Sequence, residues 1–94
     1  MAKILETKYE SQANAKVCEV PYESQADLCW YEVGYDQQAN GDAVWCFVNY
    51  DQQASFKIFR VKYESQADLL VHKVKYAEQA GWRNPGHKLR GKLG

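Results

Sequence analysis

Three side chains able to ligate a soft metal share one register of this sequence: Cys18, Cys46 and His72 each lie four residues before a tyrosine. Two thiolates and an imidazole suit zinc, but a tetrahedral ion with Zn–S near ~2.3 Å needs all three to converge. Tyr31 and Phe59 fill the same register in other segments, as a packing position would, so no metal and no cofactor is expected. With Cys29 there are three cysteines and no CxxC pair, which favours reduced, buried thiols over a disulfide framework. Ser24 with Asp27, and Ser65 with Asp68, pair a hydroxyl with a carboxylate. A hydrolytic centre also needs a base and an orienting group in reach, and His72 and His87 lie outside these segments. The pairs recur because their segment recurs, and no phosphate-binding glycine loop is present. No catalytic residue is expected, and no enzyme.

A second chemistry is electrostatic. Trp82, Arg83, Lys88, Arg90 and Lys92 put one aromatic surface beside four cations, a combination that can contact a single-stranded nucleic acid. Lys57, Arg60, Lys62, Lys73 and Lys75 would extend the patch, although Glu64 and Asp68 interrupt it. Formal net charge is zero, unevenly spread: residues 1–49 carry eight acids and three bases, residues 50–94 four acids and nine bases. Such asymmetry favours electrostatic steering or head-to-tail self-association, unless the two halves interleave in space.

What must position these residues is a repeat. Tyr22-Glu23-Ser24-Gln25-Ala26-Asp27-Leu28 is copied letter for letter from Tyr63 to Leu69, with looser copies from Tyr9, Tyr35, Tyr50 and Tyr76. The spacings are 13, 13, 15, 13 and 13 residues, and self-similarity of this kind governs every later assignment. Four residues after each tyrosine stands alanine, followed by a turn-tolerant Asn14, Asp27, Asn40, Ser55, Asp68 or Gly81. Five before each tyrosine stands Ile4, Val17, Trp30, Trp45, Ile58 or Val71; two before stands Thr7 or a valine. The pattern predicts one strand and one polar turn per repeat, with strands near 3–9, 15–22, 28–35, 43–50, 56–63 and 69–76. The turn is expected to be 3₁₀-like, with Ser24 or Ser65 capping its own backbone and Asp27 or Asp68 closing it.

Apolar residues occupy both parities of the strands: Leu28 and Trp30 oppose Tyr31, Val33 and Tyr35. Both faces are therefore covered, or bulges turn both sets inward. Short connections favour adjacent antiparallel strands. The expected fold is all-β, a six-stranded antiparallel meander forming a small closed barrel or two packed layers, with a β-solenoid as the alternative. One domain spans 1–94, with 83–94 a basic, glycine-rich tail. Asn40-Gly41-Asp42-Ala43 interrupts the third repeat as a turn-forming insertion.

The YESQADL copies and the closing segment Ala80 to Asn84 resemble a family of small bacterial proteins of unknown function, built from tandem Tyr-x-Ser-Gln-Ala-Asp repeats and ending in Ala-Gly-Trp-Arg. The resemblance covers Tyr9 to Leu89, departs at Gln37, Gln52 and Glu78, and implies a bacterial, intact short protein with no activity to transfer. No apolar run approaches the roughly 20 residues of a membrane helix, and no signal-like segment precedes the repeats, so no membrane partner and a cytoplasmic location are expected. The expected role is a non-catalytic binding or self-assembly module, with a protein partner or the chain itself bound at a repeated turn surface. That surface is Ser24, Gln25, Asp27, Gln38, Gln53, Ser65, Gln66 and Asp68. The alternative is a weak single-stranded nucleic-acid binder acting through the basic C-terminal region.

Overall fold

The computed structural model describes residues 2–39 and 41–94. Six repeat strands begin within a residue of their expected starts: β1 (Ala2–Glu6), β2 (Ala15–Glu19), β3 (Leu28–Glu32), β4 (Val44–Phe47), β5 (Phe56–Arg60) and β6 (Leu69–Lys73). Each ends three residues early, because the chain leaves the sheet before its tyrosine. A two-residue strand, β7 (Gly81–Trp82), follows.

The expected antiparallel meander is overturned. All six repeat strands pair in parallel, in the cyclic order β1-β5-β2-β6-β3-β4 and back to β1, so the barrel is closed. Among the described residues only β7 is antiparallel, on β3. There is no solenoid either: from β1 to β6 the chain goes about one and a half times round the barrel, and β5 and β6 enter the gaps between β1, β2 and β3.

Register explains how eight-residue connections can join parallel strands, a link that usually takes a dozen residues or more. Glu6 of β1 and Ala15 of β2 both stand opposite Ile58 of β5. Glu19 and Leu28 likewise share Val71, Phe47 and Phe56 share Ile4, and Arg60 and Leu69 share Val17. The end of one strand is thus level with the start of the next. A connection need not run back along the barrel; it only steps sideways over one strand, about 10 Å. Six extended residues can reach ~20 Å, so the hop is easily made. Followed once round, the pairing returns to β1 about 12 residues out of register, a large shear that tilts the strands steeply.

Each hop is tied down on entry, and four of them on exit as well. Before it, the N–H of Thr7, Val20, Val33, Val48, Val61 or Val74 donates to the carbonyl of Ile58, Val71, Trp45, Ile4, Val17 or Trp30 at 2.8–2.9 Å. After it, a reciprocal pair forms: Asp27 N–H donates to the Leu70 carbonyl at 2.7 Å, while Leu70 N–H donates to Asp27 Oδ2 at 3.0 Å. Asn14 with Lys57, Ser55 with Lys3, and Asp68 with Lys16 repeat the arrangement. Between these anchors lies one 3₁₀ turn per hop, as expected. Ser24 and Ser65 cap neither turn, and Asp27 and Asp68 bond to a neighbouring strand instead of closing their own turns.

Both strand faces are covered. Ile4, Val17, Leu28, Trp30, Trp45, Phe56, Ile58, Leu69 and Val71 point inward to one core, with Trp30 stacked on Trp45 at 4.5 Å. On the opposite parity Cys18, Cys29 and Cys46 are buried outside the barrel beneath the turns, and Leu5, Tyr31, Phe59 and Leu70 are half-buried. The last segment closes the mouth where the strands begin. Leu93 is fully buried against the core, its carbonyl accepting from Ser55 Oγ at 2.7 Å. Asp42, from the insertion, anchors this plug: its carboxylate accepts from Trp82 Nε1 at 2.9 Å, from the Gly91 N–H, and from the Leu93 and Gly94 N–H groups at 3.1 and 3.2 Å. Gly41 beside it has φ of 61°, the left-handed geometry expected of this turn, while Asn40 lies outside the described residues.

Removing the anchor should loosen the plug. Asp42→Ala is expected to lower stability by about 2 kcal/mol, because the indole and three backbone donors lose a charged acceptor. It should also open Lys88, Arg90 and Lys92 to trypsin; denaturant unfolding and timed digestion measure both.

Candidate functional site

The turns start from a tyrosine, in extended backbone with φ between −112° and −130° at Tyr9, Tyr22, Tyr50, Tyr63 and Tyr76. Its carbonyl accepts from the N–H of the glutamine three residues on, at 3.0–3.2 Å in all six copies. The fold thus uses the tyrosine backbone and leaves the ring outside. All six rings are 58–66% exposed, and the six glutamines are exposed as well. Among the described residues no phenol and no turn-glutamine amide makes a hydrogen bond; Tyr63 alone receives a cation, Lys62 Nζ at 5.8 Å.

The expected turn surface therefore divides in two. Ser24, Gln25, Gln38, Gln53, Ser65 and Gln66 are exposed, whereas Asp27 and Asp68 are partly buried in the strand contacts described above. Sequence reasoning omitted the six tyrosines themselves, with Gln12 and Gln79. The signal was present: tyrosine and glutamine hold their places in all six copies, while the two residues between them vary.

A second polar assembly closes the mouth where the strands end. The last inward-facing residues of β1, β5, β2, β6 and β3 are Glu6, Arg60, Glu19, Lys73 and Glu32, alternating in sign around the rim. Arg60 Nε lies 2.8 Å from Glu6 Oε1 and its Nη1 3.6 Å from Glu19 Oε1. Glu19 also accepts from Trp30 Nε1 at 3.3 Å and from the Lys73 N–H at 2.8 Å. Lys73 Nζ lies 2.9 Å from Glu32 and 5.5 Å from the Trp30 ring centroid. An open groove of about 670 Å³ begins at this rim, lined by Tyr31, Glu32, Val33, Gly34, Lys73, Val74 and Lys75.

The rim also resolves the charge asymmetry. Acids from the first half and bases from the second are interleaved, so the halves neutralise each other within one molecule. The basic residues do not gather into one patch. Arg60 and Lys73 sit in the rim, Arg83 pairs with Glu23 at 3.2 Å, and Lys88, Arg90 and Lys92 are exposed on the plug. Trp82 is half-buried; its N–H goes to Asp42 and one face is stacked on His87 at 5.5 Å.

Cys18 and His72 lie on neighbouring strands, but Cys46 is on β4, away from both. His72 Nδ1 meets the Val20 carbonyl at 3.0 Å. Among the described residues no group of three His, Cys, Asp or Glu side chains is placed to hold a metal ion. Burial pushes the Cys18 thiol above its usual range, with Glu64 and Glu19 adding to the effect. Burial also raises Cys29, helped by Glu23 and opposed by Arg83.

A closed parallel barrel whose second-lap strands are interleaved with the first, with every connection between repeat strands except that from β3 to β4 passing over an intervening strand, is the topology of a knotted β-domain. The chain belongs to the 7(1) septoil knot domain family, whose model matches residues 1–83. No curated protein and no solved structure matches the chain. The plug formed by the last eleven residues lies beyond the matched span. Among the described residues no helix is long and apolar enough to cross a membrane.

Two outcomes follow from this geometry. Glu19→Ala leaves the Lys73 amide and the Trp30 indole without their acceptor and should cost about 1–3 kcal/mol in chemical denaturation, while Glu19→Gln keeps a neutral acceptor and should cost less. The raised thiols stay protonated in the folded chain after unfolded ones ionise. Their contribution is therefore complete below the ordinary thiol value of 9.0 and is lost as pH rises through the higher folded values. Urea midpoints are expected to hold from neutral pH to about 9 and fall above it, and the fall should shrink in a Cys18→Ala, Cys29→Ala variant.

Proposed function

We propose that this protein is a non-catalytic binding module whose contact surface is the set of tyrosine-headed turns. The observation that carries the reading is that the six tyrosine rings are exposed and unbonded although the sequence repeats them without exception. A side chain held at one place in six copies, and not used by the fold, is best accounted for by something outside the molecule. Tyrosine suits contact: it offers a large amphipathic face and loses little rotamer freedom when bound. Six near-equivalent positions favour recognition over catalysis, since a reaction centre gains nothing from being copied round a barrel. Binding to another molecule is favoured over charge-driven head-to-tail assembly, because the acidic and basic halves already pair with each other.

The test asks whether the rings belong to the fold. With all six tyrosines changed to serine, the protein is expected to unfold cooperatively, with its unfolding free energy lowered by no more than about 0.5 kcal/mol per site removed, as at exposed positions. Collapse of the six-fold variant to an unfolded chain, with single variants each losing several kcal/mol, would make the rings structural and end this reading.

A further inference from the structure

The turn carries two invariant exposed groups, and their chemistry together narrows the ligand. Alanine has a place in the fold: it is buried or half-buried in all six copies, and its N–H closes the turn in five. Tyrosine and glutamine have no such account. The residues between them run Glu-Ser, Glu-Ser, Asp-Gln, Asp-Gln, Glu-Ser and Ala-Glu, so the turn tolerates variation where no outside contact is required.

The Gln-to-Tyr backbone hydrogen bond keeps the aromatic ring and the amide within one turn of each other. A tyrosine face packs against aliphatic C–H groups, and a glutamine amide both donates and accepts. A neutral sugar ring presents that combination: an apolar C–H face and hydroxyls that donate and accept at its edge. Polyanions fit less well, because every turn carries an acid, at Glu10, Glu23, Asp36, Asp51, Glu64 and Glu78. A single ring and amide make a weak site. Six of them, spread round a body of 32 × 31 × 21 Å, gain strength only from a ligand that repeats its binding unit.

Resting on the binding reading above, we propose that the Tyr/Gln turns are saccharide subsites and that the ligand is a neutral, hydroxyl-rich polysaccharide engaged at several turns at once. The probe is native affinity electrophoresis of the full chain through gels containing dextran, mannan, galactomannan, xylan or hydroxyethyl cellulose. At least one polymer is expected to retard the protein relative to a non-binding reference. The apparent dissociation constant should rise about tenfold or more when Tyr9, Tyr35 and Tyr63 are changed to serine, as loss of half the sites of a multivalent contact predicts. Changing Gln12, Gln38 and Gln66 to alanine should weaken it in the same direction without altering tyrosine content. Free migration in all five gels overturns the proposal, and so does retardation that neither set of substitutions changes. A stable six-fold tyrosine variant with no retardation of the parent would remove the saccharide and leave the contact surface. An unfolded six-fold variant would remove both.

Discussion

Strand stagger is the constraint on which this molecule depends. If Glu6, Ile58 and Ala15 were not level, the connection from β1 to β2 would have to return the full length of a strand, and eight residues would be too few for that and the sideways step together. Because they are level, each repeat can be five residues of strand and eight of hop. The same stagger leaves a vacant place between consecutive first-lap strands, which β5 and β6 fill. Winding, closure and repeat length follow from one geometric fact. The reciprocal bonds at Asn14, Asp27, Ser55 and Asp68 hold that register, joining the exits of these four hops to the strands just crossed.

Closure leaves two mouths, and the chain treats them differently. At the end where strands begin, an apolar residue is pressed in and held by a carboxylate from the insertion. Where strands end, alternating charges face one another around the rim. Arg60 and Lys73 come from the second lap and Glu6, Glu19 and Glu32 from the first, so the ionic contacts favour interleaved laps over laps that stack separately. Exposed pairs of this kind are individually worth little. Glu19 is the exception by connectivity, because it joins a guanidinium, an indole and a backbone amide.

Much of the local structure was legible. The tyrosine spacing placed the strand starts, the polar tetrads marked the turns, and the double parity of Leu28–Tyr35 required two covered faces. Strand direction was not legible, because the inference from short loops to antiparallel neighbours assumes unstaggered strands. Asp27 and Asp68 looked like turn residues since their acceptor role involves strands 43 and 52 positions away, beyond any local pattern. The basic segment after Trp82 read as a tail, with nothing in its composition to show that Asp42 would gather it against the barrel. At the candidate site, the glutamines were visible as a repeated surface. The tyrosines were not counted with them because an aromatic beside a strand reads first as core.

Separation along the chain also governs how such a fold can form. β1 and β2 do not pair with each other, and neither do β2 and β3; each adjacent pair is joined through a second-lap strand about 43 residues away on one side and 52 on the other. A first lap alone would therefore have no sheet. The exception is the centre, where β3 and β4 are consecutive and paired, and where Trp30 stacks on Trp45 with Phe47 edge-on to both. This is the one barrel pairing whose partners are close in sequence, so its loop-closure cost is lowest and its aromatic gain among the largest. A nucleus there would set the level of β4 against β3, and the stagger of the whole barrel would grow outward from it. The insertion at the middle repeat, between these two strands, carries the aspartate that holds the plug against the barrel.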